Sequence, residues 1–281
     1  MTGRHSLNPA PARVPPVLII GAHRSGTTAT ARALELLGLQ IGQRLDSHRE
    51  PKSLQRMHEA YLRKFGAAWH NPDPFLGRIA TPEGERDCVE YLSSQTRREF
   101  NRTFGYRNNP RGWWLRARLR LGRPWGWKEP RTTLFGSCWL KIFPDARFVE
   151  VVRHPLAVAL SIRERDLKFR AAGDPPTPGL DQLEYCLRLA LTYVAAGARL
   201  AASTPRYRRV HFEALQADAQ NTLRDLASFC ELQPGSAQLL RATQSIRAPS
   251  LPLWPSLTNQ EQASLLTHRA AVAELGYDLP G

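Results

Sequence analysis

The sequence predicts an α/β fold, a three-layer sandwich with a central, mainly parallel sheet flanked by helices. Three observations carry that expectation. The short apolar runs Val17 to Ile20 and Arg147 to Val152 are bounded by glycine or proline and read as buried strands. Each is followed by a helical stretch that opens at its carboxyl end, Thr27 to Leu37 and Pro155 to Lys168, and such alternation favours parallel pairing through right-handed crossovers. A length of 281 residues with 42% hydrophobic content suffices for one such domain.

Taken in order, residues 1–15 are polar and proline-rich and read as a disordered tail, with one domain over 16–281. They lack the apolar core of a signal peptide, and no run approaches the ~20 apolar residues of a membrane span. After the first strand and helix, Gly38 reads as a helix C′ residue, and Leu39 to Ile41 as a second short strand. The polar stretch Gln43 to Pro51 holds Asp46, His48, Arg49 and Glu50. Leu54 to Phe65 is expected as an amphipathic helix and Trp69 to Gly77 as loop. Thr81 and Pro82 mark the start of a helix running to about Phe104, as N-cap and N1. Arg107 to Arg131 interleaves arginines and tryptophans. Thr132 to Phe143 reads as helix. The Pro155 helix gives way to a loop, Ala171 to Gly179, then a long helix, Leu180 to Ala202. A strand, Arg209 to Phe212, and helices Asp218 to Cys230, Pro234 to Arg241 and Asn259 to Leu275 complete the chain.

The first strand and helix enclose Gly21-Ala22-His23-Arg24-Ser25-Gly26-Thr27-Thr28. A glycine-bounded loop ahead of a helix N-terminus presents backbone N–H groups and a helix dipole to an anion, so it suits a phosphate. The nucleotide-triphosphate loop G-x-x-x-x-G-K-[ST] has its lysine where this chain has Thr27. The loop's cation is Arg24 instead. A single 5′-phosphate carrying one further group would not need the missing lysine.

His-Arg-Ser-Gly-Thr-Thr after a strand resembles the 5′-phosphosulfate loop of sulfotransferases that use 3′-phosphoadenylyl sulfate. A second stretch, Arg147 through Arg153 to Ser161, resembles that family's 3′-phosphate segment, in which a strand ends in Arg and a Ser follows eight residues later. A third, Trp125-Gly-Trp-Lys128-Glu129-Pro130-Arg131, resembles the lysine-containing segment of bacterial members. The resemblance covers roughly residues 16 to 231. It implies a P-loop-like sulfotransferase that moves a sulfuryl group from 3′-phosphoadenylyl sulfate as co-substrate, bacterial and cytoplasmic. By this resemblance Arg24, Ser25, Gly26, Thr27 and Thr28 hold the 5′-phosphosulfate, Arg24 being the cation on the bridging oxygen. Arg153 and Ser161 take the 3′-phosphate, and Lys128 contacts the sulfate. Glu50 is the first candidate for general base, with Asp46, His48 and Glu129 as rivals; Glu129 could instead pair with Lys128 or Arg131. His23 and His154 flank the phosphate sites as orienting or surface residues.

Ala29 and Thr30 follow the Thr-Thr pair where eukaryotic cytosolic members carry an adenine-stacking Trp, and their C-terminal R-K-G-x-x-G motif is missing. These departures point toward a hydroxyl of a saccharide or glycolipid as acceptor. The net charge is +14, with only five lysines among 39 cationic residues. Arginine suits planar contact with phosphate and sulfate. No nucleic-acid motif accompanies the charge, so no nucleic-acid partner is expected. The Trp/Arg stretch Trp113 to Arg123 suits either a lid or peripheral contact with an anionic membrane. Cys88, Cys138, Cys186 and Cys230 form no metal-binding pattern and read as reduced thiols; no metal is expected. Two other functions fit the loop: a small-molecule kinase with a degenerate P-loop, and a non-enzymatic basic phosphate-binding adaptor.

Overall fold

The computed structural model describes residues 14–42, 44–103, 117, 119, 121–247 and 257–279. Four described strands form one parallel sheet: β1 (Val17–Ile20), β2 (Gly126–Lys128), β3 (Arg147–Val152) and β4 (Tyr207–His211), in the order β2-β1-β3-β4. β1 pairs with β2 from Val17 opposite Gly126 and with β3 from Val17 opposite Arg147. Gly126 is required by this pairing, because a Cβ there would lie 1.7 Å from the Val17 carbonyl oxygen.

The strands alternate across the sheet, as a period of two demands. Val17, Ile19, Val149 and Val151 face one core with α1 (Thr27–Leu36), α9 (Ala219–Phe229) and α10 (Ser236–Gln244). Leu18, Ile20, Trp127 and Phe148 face a larger one. That core is covered by α2 (Lys52–Arg63), α3 (Asp73–Ile79), α4 (Pro82–Thr103), α5 (Gly136–Ile142), α6 (Pro155–Ala171) and α7 (Leu183–Ala201). Both faces of the central strands β1 and β3 are buried, which is why they read as largely apolar runs, whereas β4 at the sheet edge carries Arg208 and Arg209. α8 (Phe212–Ala217) follows β4 directly, and α11 (Asn259–Leu266) and α12 (Arg269–Ala273) add Leu265 and Val272 to the larger core.

Several local expectations are corrected. Trp69 to Gly77 is not all loop, because α3 begins at Asp73 and buries Phe75. Leu39 to Ile41 forms only an isolated bridge, Gln40 to Trp125, while the adjacent strand is β2, within the Lys128 motif. A tryptophan-flanked three-residue strand has too little pattern to be recognised from periodicity. The helix expected from Thr132 is a 3₁₀ turn, Pro130–Thr133, followed by α5. The C-terminal helix breaks at Thr267 and His268, between α11 and α12. Most of the Trp/Arg stretch from Trp113 to Arg123 and most of the expected tail, 1–15, lie outside the described residues. All four cysteines are buried and free. Among the described residues, no helix is long and apolar enough to cross a membrane.

Candidate active site

The chain leaves β1 toward β2 on one side and leaves β3 toward β4 on the other. The crevice at the carboxyl ends of β1 and β3 is therefore the topological switch point, where open α/β sheets bind ligands. A cavity of about 520 Å³ opens there, within the ~300–1,000 Å³ usual for ligand sites.

The Gly21–Thr28 loop forms its floor. Gly21 and Gly26 adopt φ of +139° and +101°, values that favour glycine. A Cβ on Gly21 would meet the Val151 carbonyl at 2.4 Å, and one on Gly26 the Phe212 ring at 2.3 Å. Gly26 caps α1 without a side-chain hydrogen bond. The first N–H groups of a helix have no intrahelical partner, so those of α1 are open to an anion. The loop is fixed from β2's side: Gly21 N–H donates to Thr133 Oγ1 at 2.8 Å, and that hydroxyl donates to the Gly21 carbonyl at 3.2 Å.

Arg24 sits at the loop tip with φ of +71°, a sparsely populated conformation for a non-glycine residue. Its Nε donates to Ser161 Oγ at 3.0 Å, and Arg153 Nη1 donates to the Arg24 carbonyl at 3.4 Å. Ser161 is two turns into α6, whose start is fixed by Pro155 and by His154, an N-cap that accepts from Leu156 N–H. Burial first, then the neighbouring Arg153 cation, lowers the Arg24 pKa. Two guanidiniums thus share the cavity.

Glu50 also lines the cavity and is buried. Lys128, fully buried at the end of β2, donates to Glu50 Oε1 at 2.7 Å and to Thr28 Oγ1 at 3.2 Å. Gln55 Nε2 donates to Glu50 Oε2 at 2.7 Å. Burial, and next the charge of Glu129, raise the Glu50 pKa above the usual carboxylate value; Lys128 opposes them. Asp46 organises the turn, accepting the N–H groups of His48 and Glu50 at 2.8 Å each. His48 is exposed, lines the cavity, and accepts from Thr28 Oγ1 at 3.4 Å through its carbonyl.

Glu129 does not line this cavity. Its Oε1 accepts from Arg131 Nη1 at 2.6 Å and from Arg131 N–H at 3.2 Å, and its Oε2 meets His58 Nδ1. Trp139 Nε1 donates to His58 Nε2 at 3.1 Å, so Nδ1 carries the proton given to Glu129. Burial would raise the Glu129 pKa, but the Arg131 guanidinium and then His58 hold it far below the ordinary value. Of the readings open for Glu129, the structure favours pairing with Arg131. His23 lies in the wall against Trp69 and Tyr193, with centroid separations of 4.6 and 5.9 Å. Burial, then the Arg131 cation, lowers its pKa well below the usual value. Tyr193 is core, its hydroxyl donating to the Trp69 carbonyl.

The cavity also gathers Arg32, Arg165, Phe212, Gln216, Ser245 and Arg247, none singled out in the sequence. Phe212 and Gln216 follow the carboxyl end of β4, the rule that located Arg153. Arg165 stands four residues after Ser161, on the same helix face. Among the described residues, no group of three or more His, Cys, Asp or Glu side chains could hold a metal.

Residues 15–234 match the family profile described as the sulfotransferase family. Similar solved structures include the sulfotransferase domain of the Synechococcus PCC 7002 olefin synthase, 18% identical over 100% of this chain and 99% of that one, with a TM-score of 0.53. A sulfotransferase from Alicyclobacillus acidocaldarius is 17% identical over 95% and 97% of the two chains, with a TM-score of 0.52. The sulfotransferase STF9 from Mycobacterium avium is 17% identical over 96% of this chain and 78% of its own, with a TM-score of 0.52. These likenesses show a shared fold. No curated protein matches the chain.

Proposed function

The chain belongs to the sulfotransferase family, and on that premise we propose that it moves a sulfuryl group from 3′-phosphoadenylyl sulfate to a hydroxyl of a saccharide or glycolipid. The observation that carries this reading is the meeting of three motifs far apart in sequence. Arg24 of the loop bonds Ser161 of α6, Arg153 bonds the Arg24 carbonyl, and Lys128 bonds Thr28. A donor with a 5′-phosphosulfate and a 3′-phosphate has two anionic ends, and the site offers a cation and N–H groups for each.

In this reading Ser25, Gly26, Thr27 and Thr28 cradle the 5′-phosphate at the start of α1, while Arg153 and Ser161 hold the 3′-phosphate. Arg24 neutralises charge that develops on the bridging oxygen as it leaves. The acceptor oxygen forms a bond to sulfur as the bond from sulfur to the phosphate oxygen breaks, releasing adenosine 3′,5′-bisphosphate. Glu50 takes the acceptor proton, its raised pKa making it a better base than an exposed carboxylate. Lys128, expected by resemblance to contact the sulfate, does not line the cavity and is fully buried against Glu50 and Thr28, so in this reading it is a positioning residue that holds both in register. The polar lining contributed by Glu50, His48 and Arg165 supports a hydroxyl-rich acceptor over an apolar one. Residues 16–281 act as one domain in this reading, since α11 and α12 feed the same core as the sheet. Four buried free thiols suit a reducing compartment, and we place the reaction in the cytoplasm. The membrane contact expected of Trp113 to Arg123 falls mainly on residues outside those described and carries no part of the proposal.

Calorimetric titration with adenosine 3′,5′-bisphosphate, with ATP as control, tests the donor site. Wild type should bind the bisphosphate selectively, and Arg153→Ala should bind about 10–100-fold more weakly, the loss expected for a charge-assisted hydrogen bond. No binding, or preference for ATP, would overturn the donor assignment in favour of the kinase or adaptor.

A further inference from the structure

Arg165 has no task in the chemistry above. It projects into the cavity from α6, one turn beyond Ser161. Its guanidinium is braced by rings, 5.9 Å from the Trp69 centroid and 5.1 Å from that of Phe169. Among the described residues no carboxylate lies within ion-pair distance of it, whereas Arg163 and Arg170 of the same helix are paired with Glu261 and Asp166. Burial first, then the Arg24 cation, lowers its pKa, while Glu50 and Asp46 act in the other direction. Arg165 lines the same cavity as Glu50 and His48. A partly desolvated guanidinium beside a like charge, held flat by aromatic rings and lacking an anion, is preorganised for an incoming one. The donor's two phosphates already have partners in the loop, Arg24, Arg153 and Ser161. A carboxylate of the acceptor is a further anion that this guanidinium can pair with.

Resting on the sulfotransferase reading, we propose that Arg165 is a specificity residue that pairs with a carboxylate of the acceptor, so that the enzyme sulfates a hydroxyl of an acidic saccharide. The planar carboxylate fits the guanidinium fork through two parallel hydrogen bonds. Bound there, it holds a neighbouring sugar hydroxyl between Glu50 and the loop. A neutral sugar leaves Arg165 unpaired, and that difference is the source of selectivity.

The test compares p-nitrophenyl β-D-glucuronide with p-nitrophenyl β-D-glucoside, which differ at the carboxylate. The readout is release of adenosine 3′,5′-bisphosphate from 3′-phosphoadenylyl sulfate by the full chain. Wild type should favour the glucuronide by about tenfold or more in kcat/KM. Arg165→Gln should abolish that preference, and Arg165→Lys should keep part of it. Calorimetric affinity for adenosine 3′,5′-bisphosphate should be the same in all three proteins, which separates a lost acceptor contact from a misfolded site. Equal use of the two glycosides, a preference that survives Arg165→Gln, or sulfation of neither by a protein that binds the bisphosphate would overturn the proposal. Arg165→Gln that loses bisphosphate affinity would make Arg165 a donor residue instead. Wild type that fails to bind the bisphosphate would take the donor reading down first, and this proposal with it.

Discussion

Replacing Lys128 by methionine removes the cation but keeps most of the apolar stem. Its ammonium is fully buried and 2.7 Å from Glu50, whose side chain is 8% exposed. The next nearest cation, Arg131, lies 4.0 Å from Glu50 and is already bound to Glu129 at 2.6 Å. Removing one partner of a buried pair costs roughly 3–5 kcal/mol, because the other charge is left uncompensated. Residual attraction to Arg131 and the Gln55 hydrogen bond place the expected loss at the low end, about 3 kcal/mol. For a chain of this size that lowers Tm by about 6–12 °C. The loss depends on pH in a definite direction. In the variant the folded-state pKa of Glu50 lies further above its unfolded value of about 4.3, so the folded protein binds the extra proton. Stability then falls as pH rises from the unfolded value through the raised one, and below the unfolded value the penalty is gone. Thermal unfolding of Lys128→Met should therefore show the full loss at pH 8 and a much smaller one at pH 5. Adding Glu50→Gln should recover most of the loss at pH 8. An equal drop in Tm at both pH values, or no recovery in the double variant, would refute the claim that Lys128 compensates the Glu50 charge.

Two further outcomes follow from the same geometry. The sulfation rate should rise with pH through a limb above the ordinary carboxylate range, because burial and Glu129 raise the pKa of Glu50; in Glu50→Gln that limb should vanish while affinity for adenosine 3′,5′-bisphosphate persists, as read by a pH–rate profile and calorimetry. Gly26→Ala should lower both Tm and bisphosphate affinity, since φ of +101° and the Phe212 ring leave no room for a Cβ; the strain alone is about 1–3 kcal/mol, and an unaltered melting curve would contradict it.

The strand, loop and helix at Val17 to Leu36 were legible because three local signals agree there: an apolar run, two glycines at fixed spacing and a helical stretch. The same holds at Arg147 to Ser161, where Pro155 marks the helix start. α3 was hidden because Asn71, Pro72 and Gly77 look like turn residues, although Phe75 drives the helix into the core. β2 was hidden because three residues carry no periodicity, and its neighbours β1 and the Gln40 bridge supply the pairing.

Residue types and spacing alone determined the strand, glycine-bounded loop and helix at Val17 to Leu36, since backbone conformation at Gly21 and Gly26 and the end of a helix are local properties. Only the tertiary structure decided between alternative roles for similar side chains. Glu50 and Glu129 are both acidic residues near a proline. Glu50 ends at the cavity wall, whereas Glu129 is enclosed by Arg131 and His58. Arg163 and Arg165 stand two residues apart on one helix, yet one is paired with Glu261 and the other faces the cavity. Burial and the nearest opposite charge set those roles, and both are contributed by chain segments far away in sequence.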